Sequence, residues 1–388
     1  MTSNRFETIK AERTHFPALQ NSVYLASAAT GLVPDYVYTA LRRYADDRLL
    51  VGGDSVWEGG CGSLTMMNKS REWLGRMLNC SADDIAFAMN TSHALSLFTA
   101  NIPVRPGGNV VIPANCYNSS KFAWQIRQWE GIEIRYAEVV DGQVTPEAIF
   151  RCVDQNTLAV QCSYVEAETG YLLDAETIGK FCRQRGIWFI LDAAQAAGVL
   201  DIDVQRICVD VLAFADYKWM MNYAGTGVAY IRKEAREQLK LRAAGWMSDA
   251  ERFYEDAEVL SLRQDCGCFD IGYPNMPVIC GMGLVAKRYC ELGRQEIQKY
   301  VFSLRDYLCA RLEAVGARLQ LNFPAERKSQ IVCMLVDPEK VISDEQMREK
   351  GIMCNVREID ERTGMRIVRM GLHYYNNKTD IDRFIEVL

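Results

Sequence analysis

Three residues near the middle of the chain have the types and the setting for chemistry. Asp192 closes the apolar run Ile187-Trp188-Phe189-Ile190-Leu191, which has the pattern of a buried parallel strand. Its carboxylate therefore falls at the edge of an apolar core, where an unpartnered polar group costs roughly 2–7 kcal/mol and a charge more. Gln195 follows three residues on, in "LDAAQ". Lys218 stands just past a second such run, "DVLAFA" at 210–215, next to Trp219. Apolar surroundings disfavour an ammonium and lower its pKa, which makes Lys218 a candidate nucleophile.

Together these are parts of a site for pyridoxal phosphate (PLP): a lysine for a Schiff base, a carboxylate that keeps the pyridine nitrogen protonated, and an amide for the phenolic oxygen. A plainer reading pairs Asp192 with an arginine and leaves Lys218 solvated on a loop. A phosphate also needs a cradle. "NTSHALSLF" at 90–98 follows the short apolar run at 85–88 and starts a helix with Thr91 and Ser92 as capping hydroxyls, and helix N-terminal amides beside hydroxyls bind phosphate.

The elements that must position these residues are legible from residue 80 to 232. "NVVIP" (109–113), "TLAVQCSY" (157–164), "IWFILD" (187–192), "DVLAFA" (210–215) and "GVAYIR" (227–232) have strand composition, with helical patterns between them at 119–129 and 174–186. The alternation predicts an α/β domain with a mainly parallel sheet and its site at the strand C-termini. After residue 276 the pattern changes to a long helix-period region, 282–315, then candidate strands 318–323, 329–336 and 365–372 and a last helix from Thr379. The expected division is an N-terminal segment 1–20, a large domain 21–275 and a smaller α+β C-terminal domain 276–388.

Of the 388 residues, 49% are hydrophobic and 24% charged, with a net charge of -6. No block of like charge marks a nucleic-acid or membrane-surface binder, and no apolar stretch is long enough for a membrane span. The N-terminus lacks the apolar core of a signal peptide, so a cytoplasmic protein is expected. Fourteen cysteines are scattered singly and are expected to be reduced, packed thiols. Cys266 and Cys268 have no second Cys/His pair at metal-ligand spacing, so no metal site is expected. "GMGLVA" (281–286) matches a nicotinamide-binding pattern, but it sits late in the chain without an early βαβ setting, so Gly281 and Gly283 are taken as helix-entry and packing glycines.

Seven segments in order resemble the class V aminotransferase and cysteine desulfurase family of fold-type I PLP enzymes: "YLASAATGLVP" (24–34), "IAFAMNTSHALSL" (85–97), "LDAAQAAG" (191–198), "LAFADYKW" (212–219), "AGTGVAYIRKE" (224–234), "FDIGYPN" (269–275) and "VRMGLHYYNN" (368–377). The resemblance implies Lys218 for the Schiff base, Asp192 for the pyridinium nitrogen, Gln195 for the phenolic oxygen, and Thr91 and Ser92 for the phosphate, with Tyr217 beside it. It also implies Tyr117 as the ring stacked on the cofactor, and Arg369 as the clamp on the substrate carboxylate with Ala29 nearby. The alternative for Arg369 is an ion pair with Glu361. The family fold further implies a homodimer with a shared site, in which Gly272 and Tyr273 reach the phosphate of the other subunit.

The departures concern the reaction. Tyr217 and Tyr117 stand where desulfurases carry histidines, and Ala167 replaces an asparagine beside Glu166 and Glu168. These acids suggest a basic substrate side chain or, alternatively, are solvated loop acids. Cys354 in "GIMCNVR" has a strand setting that marks a packed thiol, and 358–364, the place of the family's cysteine loop, contains no cysteine. The expected function is a PLP-dependent, aminotransferase-type reaction on a small α-amino acid. The alternatives are a carbon–sulfur lyase or desulfurase-like β-elimination, and a PLP-binding protein without catalysis.

Overall fold

The apolar runs of the middle of the chain form one seven-stranded sheet in the computed structural model, which describes residues 2–52, 62–251, 258–337, 339, 343–360 and 363–388. Its strands are β1 (Ile85–Ala88), β2 (Asn109–Pro113), β3 (Glu133–Ala137), β4 (Thr157–Ser163), β5 (Trp188–Asp192), β6 (Val211–Ala215) and β7 (Gly227–Ile231). Their spatial order is β1-β7-β6-β5-β4-β2-β3. Only β7 runs antiparallel to its neighbours; the pairs from β6 across to β3 are parallel.

Both faces of the inner strands are covered, which is why they read as unbroken apolar runs rather than alternating ones, whereas the edge strand β3 is largely exposed. Ile190, Val211 and Ala213 pack with Leu95, Phe98 and Trp124 from helices Thr91–Asn101 and Asn118–Gln125. Phe189, Leu191 and Leu212 face the other way, toward Ile178 and Cys182 of helix Ala175–Arg185. The period-2 alternation of side chains puts Asp192 on the same face as Ile190, beneath helix Asn118–Gln125.

The region 282–315 is two helices rather than one continuous pattern. Met276–Leu292 and Arg294–Ala314 are separated at Gly293, whose φ of 95° suits a residue without a Cβ. Gly281 and Gly283 lie inside the first of these helices, not at its entry. A Cβ on Gly283 would come within 2.9 Å of Ser70 Cα on the neighbouring helix Ser63–Leu78, so this glycine serves packing. No strand leads into that helix among the described residues, so the nicotinamide pattern lacks its context.

A second, antiparallel sheet consists of β8 (Ile331–Val336), β9 (Asn355–Asp360) and β10 (Met365–Gly371) in the order β9-β10-β8. The strand expected at 318–323 shrinks to Arg318–Leu319, at the outer edge of β8. The beginning of the chain is knit to its end. Val23–Tyr24 pairs in parallel with Ile352–Met353, and Arg13 holds Asp380 at 2.7 Å in helix Lys378–Ile385.

One close approach links this N-terminal stretch to the residues after β6. Gly31 N donates to Tyr217 O at 2.8 Å, and a Cβ on Gly31 would sit 1.9 Å from the Lys218 carbonyl oxygen. The obstructing atom is backbone and has little room to yield. Gly31→Ala is therefore expected to destabilise the fold by about 1–3 kcal/mol, read as a lower denaturant midpoint.

Candidate active site

The C-terminal ends of β4, β5 and β6 open on a cavity of about 430 Å³. Seven residues singled out from the sequence meet in its wall: Thr91, Ser92, Tyr117, Asp192, Gln195, Tyr217 and Lys218. Ser163, Val165 and Ala167 complete the side formed by β4 and the turn after it.

Asp192 is buried and accepts one hydrogen bond, from Ala194 N at 2.9 Å. Burial pushes its pKa up, opposed by the Ala194 amide and the charge of Lys218. Among the described residues no arginine forms an ion pair with it, so the plainer reading of Asp192 is not realised. Burial pushes the Lys218 pKa down, opposed by the charge of Asp192 and reinforced by Arg369. The lysine lines the cavity, partly buried, and its Nζ lies 5.9 Å from the ring centres of both Tyr117 and Tyr217. Gln195 is held at both ends of its amide: Nε2 donates to Ala28 O at 2.9 Å and Oε1 accepts from Trp219 Nε1 at 2.7 Å.

Helix Thr91–Asn101 is capped by Asn90, whose Oδ1 accepts from His93 N at 2.8 Å. This corrects the expectation that Thr91 and Ser92 act as caps, because both lie inside the first turn. Ser92 Oγ bonds Ser119 Oγ at 2.6 Å. Thr91 Oγ1 is buried with no protein partner, an arrangement that costs stability unless a ligand satisfies it.

The other expected residues lie outside this wall. Arg369, on β10, is buried; it donates to the Ala167 carbonyl and, at 3.3 Å, to Asn355 Oδ1, so it stands one residue behind the cavity surface. Glu361 lies outside the described residues. Ala29 belongs to the turn after Ala26, and Gly272 and Tyr273 sit on a separate, largely exposed stretch. Glu166 is not a solvated acid: it is buried and accepts hydrogen bonds from Glu168 N, Thr169 N and Thr169 Oγ1 at 2.7–2.9 Å, which closes its own turn. Cys116, Cys333 and Cys354 are buried, and desolvation pushes each thiol up to about 12; a reactive thiolate needs the opposite environment.

Two residues not singled out from the sequence support the lysine segment. Asp216 is fully buried, and its Oδ2 accepts from Thr226 N at 2.6 Å, tying together the two ends of the stretch that carries Tyr217 and Lys218. Burial pushes its pKa up to about 7. His373 stacks between Trp219 and Tyr375. Its Nδ1 accepts from Tyr374 N at 2.8 Å, so the proton is on Nε2, which donates to Trp219 O at 3.0 Å. Trp219 in turn bonds Gln195 in the cavity wall. An acid at a strand end and a histidine in "LHYYNN" were the only signals, and neither identifies a partner across so many residues.

Desolvation lowers the His373 pKa to about 4. An unfolded histidine takes up its proton near pH 6.5, so the unfolded state binds more protons between about pH 6.5 and 4 and stability falls as pH drops through that window. The expected loss is about 3 kcal/mol in full. The check is the pH dependence of the denaturant midpoint, from which His373→Gln should remove this component.

The aminotransferase class-V family model matches residues 23–384. A probable cysteine desulfurase of Methanothermobacter thermautotrophicus is 26% identical over 390 residues, covering 97% of this chain and 96% of its own. An uncharacterized aminotransferase of Bacillus subtilis, YcbU, is 22% identical over 376 residues, covering 96% and 95%. Among solved structures, the apo cysteine desulfurase of Thermococcus onnurineus NA1 superposes with a TM-score of 0.85 at 21% identity, covering 97% of this chain and 96% of its own. The cystine C–S lyase C-DES, in complex with cysteine persulfide, gives 0.84 at 18% identity, covering 96% and 98%. With the family model spanning nearly the whole sequence, the chain belongs to the class V aminotransferase family.

Proposed function

We propose that this PLP-dependent enzyme acts on a small α-amino acid and eliminates a sulfur substituent from its β-carbon. The carrying observation is the setting of Lys218, a partly buried amine beside a buried carboxylate and flanked by two phenols. Of the relatives named above, the cysteine desulfurases and the cystine C–S lyase support the carbon–sulfur side of this reading, whereas YcbU bears an aminotransferase name. The burial of Cys116, Cys333 and Cys354 weighs against a persulfide relay through any of these three.

The residues present fit PLP. The unpartnered Thr91 hydroxyl, Ser92 and the first-turn amides of their helix suit a phosphate dianion. Asp192, with a single hydrogen bond from its own loop, suits a protonated ring nitrogen. Gln195 retains one amide hydrogen for the phenolic oxygen, and Tyr117 and Tyr217 flank the lysine. When bound, the cofactor supplies an electron sink that acidifies the substrate α-carbon.

Lys218, whose charged form burial disfavours, holds the proton removed from the α-carbon. Tyr117, half-exposed at the cavity mouth, protonates the departing sulfur. Arg369 orients the substrate carboxylate. In balance, the Cα–H and Cβ–S bonds break, sulfur leaves with its electron pair and gains a proton, and hydrolysis of the remainder yields a 2-oxo acid and ammonia. Amino transfer, the outcome favoured from the sequence alone, needs the same lysine but no acid for a leaving group.

The reading includes a cytoplasmic homodimer in which Gly272 and Tyr273 complete the partner protomer's phosphate site. Its support is the exposure of Trp246, Ile271 and Tyr273, each at least two-fifths accessible. No helix of the described residues is long and apolar enough to cross a membrane.

The test is product analysis of the PLP-loaded protein with S-alkyl-L-cysteines, measuring released thiol against amino transfer to an added 2-oxo acid. Thiol release is expected to dominate, and Tyr117→Phe to slow it by about 10²–10⁴-fold; faster amino transfer would reinstate the transferase alternative. Thr91→Val is expected to weaken PLP binding roughly tenfold or more without lowering the stability of the unloaded protein, since its hydroxyl has no partner to lose. Fluorescence titration and thermal melts check the pair of outcomes.

A further inference from the structure

A second guanidinium stands beside Arg369. Asn355 on β9 lies opposite Arg369 on β10 and accepts its hydrogen bond, and Arg357 is two residues further along β9. Between Val356 and Ile359 the register slips: three steps along β9 match two along β10. This is the extra residue of a β-bulge, a device that re-aims side chains. Arg357 NH2 reaches Glu168 Oε1 at 3.2 Å, next to Ala167 in the cavity wall.

The charges here do not balance. Arg357 and Arg369 repel each other, and both act on Lys218, while Glu168 opposes them. Glu166 is engaged by its own turn. Arg357 Nε and Arg369 Nε are both buried without a partner. The pair Arg357–Glu168 is exposed enough, at 38% and 54% of its side-chain area, to be weak and replaceable. A substrate α-carboxylate answers Arg369 and leaves Arg357 with only its exposed pair to Glu168.

We propose that Arg357 is a specificity residue for a second acid group, so that the preferred substrates are α-amino acids whose side chain ends in an anion, which displaces Glu168 from Arg357. This rests on the PLP reading of the cavity and replaces the suggestion that Glu166 and Glu168 select a basic side chain. The mutual repulsion of the arginines is relieved when two acid groups enter together.

The test compares S-carboxymethyl-L-cysteine with S-methyl-L-cysteine, which share the carbon–sulfur bond and differ in the terminal acid. Dissociation constants are read from changes in the visible absorption of the PLP-loaded protein. The acidic compound is expected to bind roughly tenfold or more tightly, with the ratio falling toward one in Arg357→Gln and rising severalfold in Glu168→Gln. Equal or weaker binding of the acidic compound to the unaltered protein overturns the inference, as does a ratio that Arg357→Gln leaves unchanged. If Arg357→Gln does not fold, the unaltered protein and Glu168→Gln decide between the same outcomes. Failure of the protein to acquire a visible band with PLP overturns the reading of the cavity itself, and the inference with it.

Discussion

A carboxylate at the end of an apolar strand is the constraint around which the rest is arranged. Asp192 has left water, accepts one hydrogen bond from Ala194, and has Lys218 as the cationic influence on its titration. Burial disfavours the charged form of both groups, and each opposes that effect in the other. A pair so placed is poorly compensated by the protein alone and well suited to a ligand that presents a cationic N–H to one and a reactive carbonyl to the other. The parallel sheet makes this possible because adjacent strands deliver their C-terminal residues to one edge.

Rigid supports hold that edge. The backbone at Gly31 abuts the Lys218 carbonyl, Asp216 ties its own segment to the start of β7, and His373 reaches Gln195 through Trp219. These contacts join the two ends of the chain to the central strands. The site is thus fixed by groups far from it in sequence, including the β10 segment that carries Arg369 and leads to His373.

Much of this was legible in the sequence because burial on both faces forces continuous apolar runs, and β2, β4, β5, β6 and β7 fall within a residue or so of where those runs lie. Asp192 and Lys218 stood out because charges at such strand ends demand explanation. Other features depend on tertiary context. Asn90 rather than Thr91 caps helix Thr91–Asn101 because side-chain reach, not residue type, selects among neighbouring polar residues. Glu166 looked like a loop acid, since the three donors that enclose it become visible only once its turn is formed. The bulge at Arg357 leaves no mark in composition, and the break at Gly293 interrupts a helical periodicity that otherwise continues.

The site turns on Lys218 as the residue that would be joined to PLP, with Asp192 in the same cavity wall. The most direct measurement is borohydride reduction of the PLP-loaded protein, followed by proteolysis and mass spectrometry. A pyridoxyl-phosphate adduct is expected on the peptide containing Lys218, at that lysine alone and at stoichiometric yield. An adduct spread over other lysines, or its absence from Lys218, would contradict it.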